Sequence, residues 1–121
     1  ELPAKGDWLQ LGIHLAETGD LVGDLALHTL HEAELGFEIG YTIATRFQRQ
    51  GFAKESVTAL LACLLQELDA KRVIATPDRR NLPSIRLLKS LGFVQREERS
   101  WEEFFKGENV TVNYFELVNT Q

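Results

Sequence analysis

The run Phe37-Glu38-Ile39-Gly40-Tyr41-Thr42-Ile43, followed by Arg46-Phe47-Gln48-Arg49-Gln50-Gly51-Phe52-Ala53-Lys54, decides how this chain is read. Its first half alternates: Phe37, Ile39, Tyr41 and Ile43 project to one side, and Gly36, Glu38, Gly40 and Thr42 to the other, the period of a strand with one buried face. Its second half is polar, basic and glycine-bearing. It leads directly into Ala53, Val57, Leu60, Leu61, Leu64, Leu65 and Leu68, apolar residues at three- and four-residue steps that form one face of a long helix. A strand that turns through such a loop into a helix points unpaired backbone N–H groups, and the positive end of the helix dipole, at whatever lies ahead of the turn. That makes a natural anion site, or else a plain strand-to-helix turn with solvated arginines, and Arg46, Arg49 and Lys54 gather positive charge there in a chain whose net charge is −5. Gly51 permits close approach by a ligand and Ala53 adds little bulk.

Outward from this point the remaining elements fall into order. Residues 8–16 alternate Leu9, Leu11, Ile13 and Leu15 with Gln10, Gly12 and His14; Thr18-Gly19-Asp20 supplies a turn, and residues 21–28 return as a second strand. The third strand spans 35–43. After the helix, Val73-Ile74-Ala75-Thr76 in 72–76 forms a strand parallel to it, because strand, helix, strand in succession implies a right-handed crossover. A second helix starts at Asn81 as cap, with Pro83 in its first turn and Ile85, Leu88 and Leu91 on one side, and stops at Gly92. Residues 93–100 and 110–118 read as two closing strands joined through Lys106-Gly107-Glu108-Asn109. The fold class is α/β (α+β), a mixed and mostly antiparallel sheet with a parallel central pair and two main helices, in a single domain over 1–121.

Composition narrows the function. The chain has 121 residues, 44% hydrophobic and 26% charged, with no apolar run long enough to span a bilayer, so no membrane partner is expected. The acidic balance argues against nucleic-acid binding, which needs many cations on phosphates. Cys63, the single cysteine, falls in the apolar helix run and reads as a small core residue. His14, His28 and His31 lack ligand spacing, so they read as surface or edge residues and no metal is expected. The chain has no Met and opens Glu1-Leu2-Pro3, so a processed or truncated cytoplasmic protein is expected. Neither a nucleotide P-loop nor the Gly-x-Gly-x-x-Gly of a dinucleotide fold is present.

Gln48-x-x-Gly51-x-Ala53 resembles the Gln/Arg-x-x-Gly-x-Gly/Ala signature of the GNAT acetyltransferases. Asn81-Leu82-Pro83-Ser84, closing at Leu91-Gly92-Phe93, is similar to a second motif of that family, and Glu38-Ile39-Gly40-Tyr41 to a strand of its RimJ/RimL, ribosomal-protein branch. The resemblance spans roughly 8–118, and the first clear element matches the family's second strand, so the family's N-terminal strand and helices on the acceptor side are not recognised. It implies acetyl-CoA as co-substrate, without a metal, and an amine acceptor, a peptide N-terminus or a small molecule, attacking directly. It also implies that Gln48, Arg49, Gln50, Gly51, Phe52, Ala53 and Lys54 hold the pyrophosphate, with Ile43, Asn81 and Ser84 also at the cofactor and Arg79, Arg80 or Arg86 close enough to help.

For the chemistry, Glu38 is the candidate base, or else a solvated strand residue. Ser84 is the candidate donor to the leaving thiolate, or else a helix cap. Tyr41 and Tyr114 offer further hydroxyls, or else core packing. A main-chain N–H in 41–43 would meet the oxyanion. Trp101, Phe104 and Phe105 line the acceptor pocket, a homodimer contact or ordinary core. The other reading of the same fold is a non-catalytic acyl-CoA-binding or interaction domain.

Overall fold

The computed structural model describes residues 7–105 and 107–119, with the side chains of residues 102–105, 108 and 110 left aside. Three antiparallel strands open the chain: β1 (Trp8–His14), β2 (Leu21–Thr29) and β3 (Gly36–Ile43). The β1–β2 turn is closed by Leu15 and Gly19 main-chain bonds, with Gly19 in the left-handed conformation that the turn needs. Helix α1 (Phe52–Ala62) follows, its last turns widened over Cys63–Glu67, where the Leu68 N–H donates to the Cys63 carbonyl five residues back.

The chain then re-enters the sheet as β4 (Arg72–Ala75), parallel to β3, before α2 (Leu82–Ser90). The end of the chain departs from the two long strands expected. The segment 93–100 provides only the short strand β5 (Val94–Gln95) and a 3₁₀ turn at Glu97–Arg99, and β6 (Trp101–Phe105) then leaves the sheet. Likewise 110–118 divides into β7 (Glu108–Val112), paired with β6 as a separate ribbon, and β8 (Phe115–Val118) between β4 and β5. The division falls where a single bridge links Val112 to Asp78 and the Asn113 N–H donates to the Pro77 carbonyl, so the chain is tied to the β4–α2 loop and cannot continue straight.

The main sheet runs β1-β2-β3-β4-β8-β5, and both helices cover one of its faces. Val57, Leu61 and Leu64 of the first helical segment and Leu88 of α2 share one core with Leu25, Leu27, Phe37, Ile39, Val73 and Phe115. Phe37, Phe115, Leu64, Leu88 and Val57 are sealed from solvent, each worth about 1.5–3 kcal/mol of apolar burial. The expected leucine stripe and the parallel crossover strand are both found as read. On the opposite face, register aligns Trp8, His28, Glu38 and Ile74 across four strands, and aligns Arg72 beside Gly36.

That face also carries an ion network. Arg72 donates to both Glu32 oxygens at 2.9 Å, to Glu116 at 2.7 Å and to the Tyr114 hydroxyl at 2.8 Å, while Arg96 donates to Glu116 at 3.1 Å. The Arg72 hydrogen bonds hold Glu32 below the usual carboxylate range. Burial disfavours the charge on Glu116, but the bonds from Arg72 and Arg96 outweigh it, so its acidity is also increased. The Tyr114 hydroxyl is taken up by Arg72 and Arg99, which fixes it within this network.

Candidate active site: a cleft where two strands part

Strands β3 and β4 pair at only three positions, the last being Glu38 opposite Ile74. Beyond it β3 continues along β2 to Ile43, and β4 ends at Ala75. The Ala44 N–H donates to Val22 on the β2 side, so alternation along the strand directs the N–H groups of Tyr41 and Ile43 toward the opening. The Ile43 carbonyl faces the same way, because the Gln48 side-chain amide reaches it at 3.0 Å. Gln48 thus anchors the loop to the strand.

The loop reaches the helix through two left-handed residues, Arg49 (φ 64°) and Gly51 (φ 84°). Gly51 is the N-cap of α1, and no side chain caps it; the first bond back to the cap comes from the Glu55 N–H. The N–H groups of Phe52, Ala53 and Lys54 therefore point out of the helix end. A Cβ built on Gly51 meets no atom within 4 Å, so space is open beside these donors. Phe47 packs edge-on against Phe52, and the Arg46 guanidinium lies over Phe47 at 4.5 Å, which stiffens the loop. The Gln50 side chain turns back to the Arg46 carbonyl at 3.2 Å, and Gln50, expected at the cofactor, does not line the groove that the neighbouring loop residues form.

A groove of about 730 Å³ connects these features. Its walls include Ile43, Gln48, Arg49, Gly51, Phe52, Ala53, Lys54, Asn81, Ser84 and Arg86, together with Phe47, Pro83 and Leu87, which are not among the residues expected at the cofactor. Of the three further arginines, Arg86 is at the groove, whereas Arg80 is paired with Asp78 at 2.9 Å and Arg79 is exposed.

At the far end the Tyr41 hydroxyl lies 2.7 Å from Ser84 Oγ. Burial pushes the Tyr41 phenol above its ordinary range, against a smaller opposing effect of the Ser84 hydrogen bond, so it remains a proton donor at neutral pH. Asn81 is the cap of α2, its Oδ1 accepting from the Ser84 N–H at 3.2 Å, which leaves the Ser84 hydroxyl to Tyr41. Tyr41, Asn81 and Ser84 also border a second groove of about 360 Å³ on the helix-free face, lined by Trp8, Gln10, Asp24, Glu38, Gly40, Thr42 and Thr76. Glu38 stands in its wall, with Oε2 accepting from the Thr76 hydroxyl at 2.8 Å. Tyr114 and Trp101 line neither groove, and the side chains of Phe104 and Phe105 lie outside the described ones. Cys63 lies away from both, its thiol pushed up by burial and by Glu67. Among the described residues no group of three His, Cys, Asp or Glu is placed to hold a metal, and no helix is long and apolar enough to cross a membrane.

A strand pair opened beside an uncapped helix is the feature that the sequence motifs foreshadow, and a family model described as an acetyltransferase (GNAT) domain matches residues 2–94. The chain belongs to the GNAT acetyltransferase family. Among curated relatives, the uncharacterized N-acetyltransferase p20 of Bacillus licheniformis is 28% identical over 121 residues, all of this chain and 68% of that protein. The chain spans from 56% to 68% of the length of the curated relatives it matches. Among solved structures, one titled as a ribosomal-protein-serine acetyltransferase from Vibrio cholerae superposes with a TM-score of 0.79 at 28% identity, over 93% of this chain and 64% of that one. The spermidine/spermine N-acetyltransferase SpeG of the same organism shares the fold, with a TM-score of 0.82 at 19% identity over 93% of this chain and 68% of that one.

Proposed function

We propose that this GNAT domain binds acetyl-CoA across the parted strands and transfers its acetyl group to a primary amine by direct attack. The observation that carries this reading is the end of β3–β4 pairing at Glu38 and Ile74, opposite an α1 terminus with no side-chain cap. The N–H groups at the start of α1, with Arg49, Lys54 and Arg86, suit a diphosphate, and the N–H groups of Tyr41 and Ile43 suit an extended amide-bearing arm and the thioester oxygen.

Each remaining role follows from position. Glu38 faces the second groove and removes a proton from the acceptor ammonium. The freed nitrogen forms a bond to the thioester carbon, the carbon–sulfur bond breaks, and the departing thiolate takes a proton from the Tyr41–Ser84 hydroxyl pair, which is restored by the second proton that the nitrogen loses as the amide forms. The acceptor enters from the helix-free face, beside Trp8 and Asp24. A peptide N-terminus is the favoured acceptor class, supported by the relative at 28% identity named for a ribosomal-protein serine. Calorimetric titration with acetyl-CoA, run beside thiol release with a serine-initiated peptide and with spermidine, tests the reading. Binding with amine-dependent thiol release is expected. Absence of binding refutes the reading, and binding without release with either amine leaves an acyl-CoA-binding domain instead.

A further inference from the structure

In the row Trp8–His28–Glu38, three adjacent strands place three side chains side by side on the helix-free face. The His28 ring stacks on Trp8 with centroids 4.5 Å apart and planes 12° from parallel. Stacking fixes the ring plane, and the neighbouring strand fixes which edge meets Glu38. That edge is Nδ1, a buried atom without a hydrogen-bond partner in the structure, 3.5 Å from Glu38 Oε1. The other carboxylate oxygen is held by Thr76. Glu38 is therefore pinned on one side and faces an unused imidazole nitrogen on the other.

Buried polar atoms are almost always paired, so an unpaired one directly behind Glu38, which lines the second groove, calls for a reason. With the ring proton on Nε2, the Nδ1 lone pair and the carboxylate lone pairs face each other, and a single proton between them satisfies both. A closer approach of about 0.6 Å makes that an ordinary hydrogen bond of about 2.9 Å. We propose that His28 is the positioning residue and proton partner of Glu38, so that the pair, rather than the carboxylate alone, takes the proton from the acceptor amine. This rests on Glu38 acting as the base. The acceptor ammonium loses a proton to Glu38, the resulting carboxylic acid passes it to Nδ1, and the imidazolium–carboxylate pair holds it until solvent removes it once the groove empties. Among the described residues, the charged or titratable groups sharing this face include Asp24 on β2, Glu38 on β3, Arg72 on β4 with its partners Glu32 and Tyr114, and Glu116 on β8 with its partner Arg96. Arg72 is engaged by Glu32, Glu116 and Tyr114.

The test combines a spectroscopic and a kinetic reading. Imidazole nitrogen shifts of His28, assigned by its loss in His28→Asn, are followed against pH in the parent chain and in Glu38→Gln. The Nδ1 shift of His28 is expected to change when Glu38 loses its carboxylate; an unchanged Nδ1 shift overturns the pairing. Thiol release is then measured against pH at saturating acetyl-CoA with the better of spermidine and a serine-initiated peptide. His28→Phe, which keeps the stack on Trp8, is expected to lower kcat by about tenfold or more and to displace the acid limb of the profile, with acetyl-CoA affinity changed by less than about twofold. His28→Asn, which restores a polar atom but cannot accept a proton, is expected to leave the limb displaced. Parent-like profiles in both variants overturn the inference while Glu38→Gln is inactive; an active Glu38→Gln overturns the base assignment as well.

Discussion

Gly51→Glu tests the proposed diphosphate site separately from folding, because the structure lets the two effects be sized independently. No atom lies within 4 Å of a Cβ at this position, so steric cost comes only from the left-handed φ of 84°. Forcing a non-glycine residue there costs roughly 1–2 kcal/mol. A carboxylate at a helix N-terminus returns about 0.3–1 kcal/mol through the dipole, so the folded state should lose about 1 kcal/mol in all. The same charge repels a diphosphate held on the N–H groups of Phe52, Ala53 and Lys54. At about 5 Å and an effective dielectric of about 20, each phosphate charge contributes about 3 kcal/mol of repulsion. That corresponds to at least about a hundredfold loss of affinity. Calorimetry with acetyl-CoA gives the affinity, a thermal melt gives the stability, and Gly51→Ala isolates the strain. A folded Gly51→Glu protein that binds acetyl-CoA within about twofold of the parent would refute the placement of the diphosphate.

The other expectations can be stated briefly. Ser84→Ala removes the hydroxyl partner of Tyr41 and leaves only the Ser84 carbonyl, 3.3 Å from the phenol oxygen; kcat for thiol release should fall by about ten- to a hundredfold with little change in acetyl-CoA affinity. Asn81→Ala removes the α2 cap, which should cost about 1 kcal/mol and lower the melting midpoint by about 4 °C in calorimetry. The Arg72 network sets an acid response. Glu32 and Glu116 are more acidic in the folded chain than their ordinary 4.5, so their contribution is complete above that pH and is lost as pH falls through the lower folded values. The melting midpoint should therefore drop below about pH 4.5, and the drop should shrink in Glu116→Gln, as melts in buffers from pH 7 to 3 would show.

Much of this arrangement was legible because it is local. The leucine spacing of α1, the Asn81-Pro83 start of α2 and the alternation through Glu38-Ile39-Gly40-Tyr41 each lie within one element, and together they place the loop, the helix end and the strand of the cleft. What was not legible depends on partners far along the chain. The expected strand over 110–118 is divided because Pro77 and Asp78 capture Asn113 and Val112, and the one over 93–100 stops at Gln95, where the chain turns through Glu97–Arg99. The Tyr41–Ser84 contact joins residues 43 apart, and the facing of His28 and Glu38 follows from the β2–β3 register rather than from either segment. His28 read as an edge residue for that reason. Arg72 read only as the start of a strand, whereas Glu32, Tyr114 and Glu116 converge on it from a loop and the last strand.

The most direct measurement is a titration of the ¹⁵N-labelled chain with coenzyme A, followed through its backbone amides. The amides of Tyr41, Ile43 and residues 51–54 should shift together along a single saturable curve, since one extended ligand spans both the strand opening and the helix end. Shifts confined to other parts of the sheet, or none at millimolar coenzyme A, would contradict the cleft as the cofactor site.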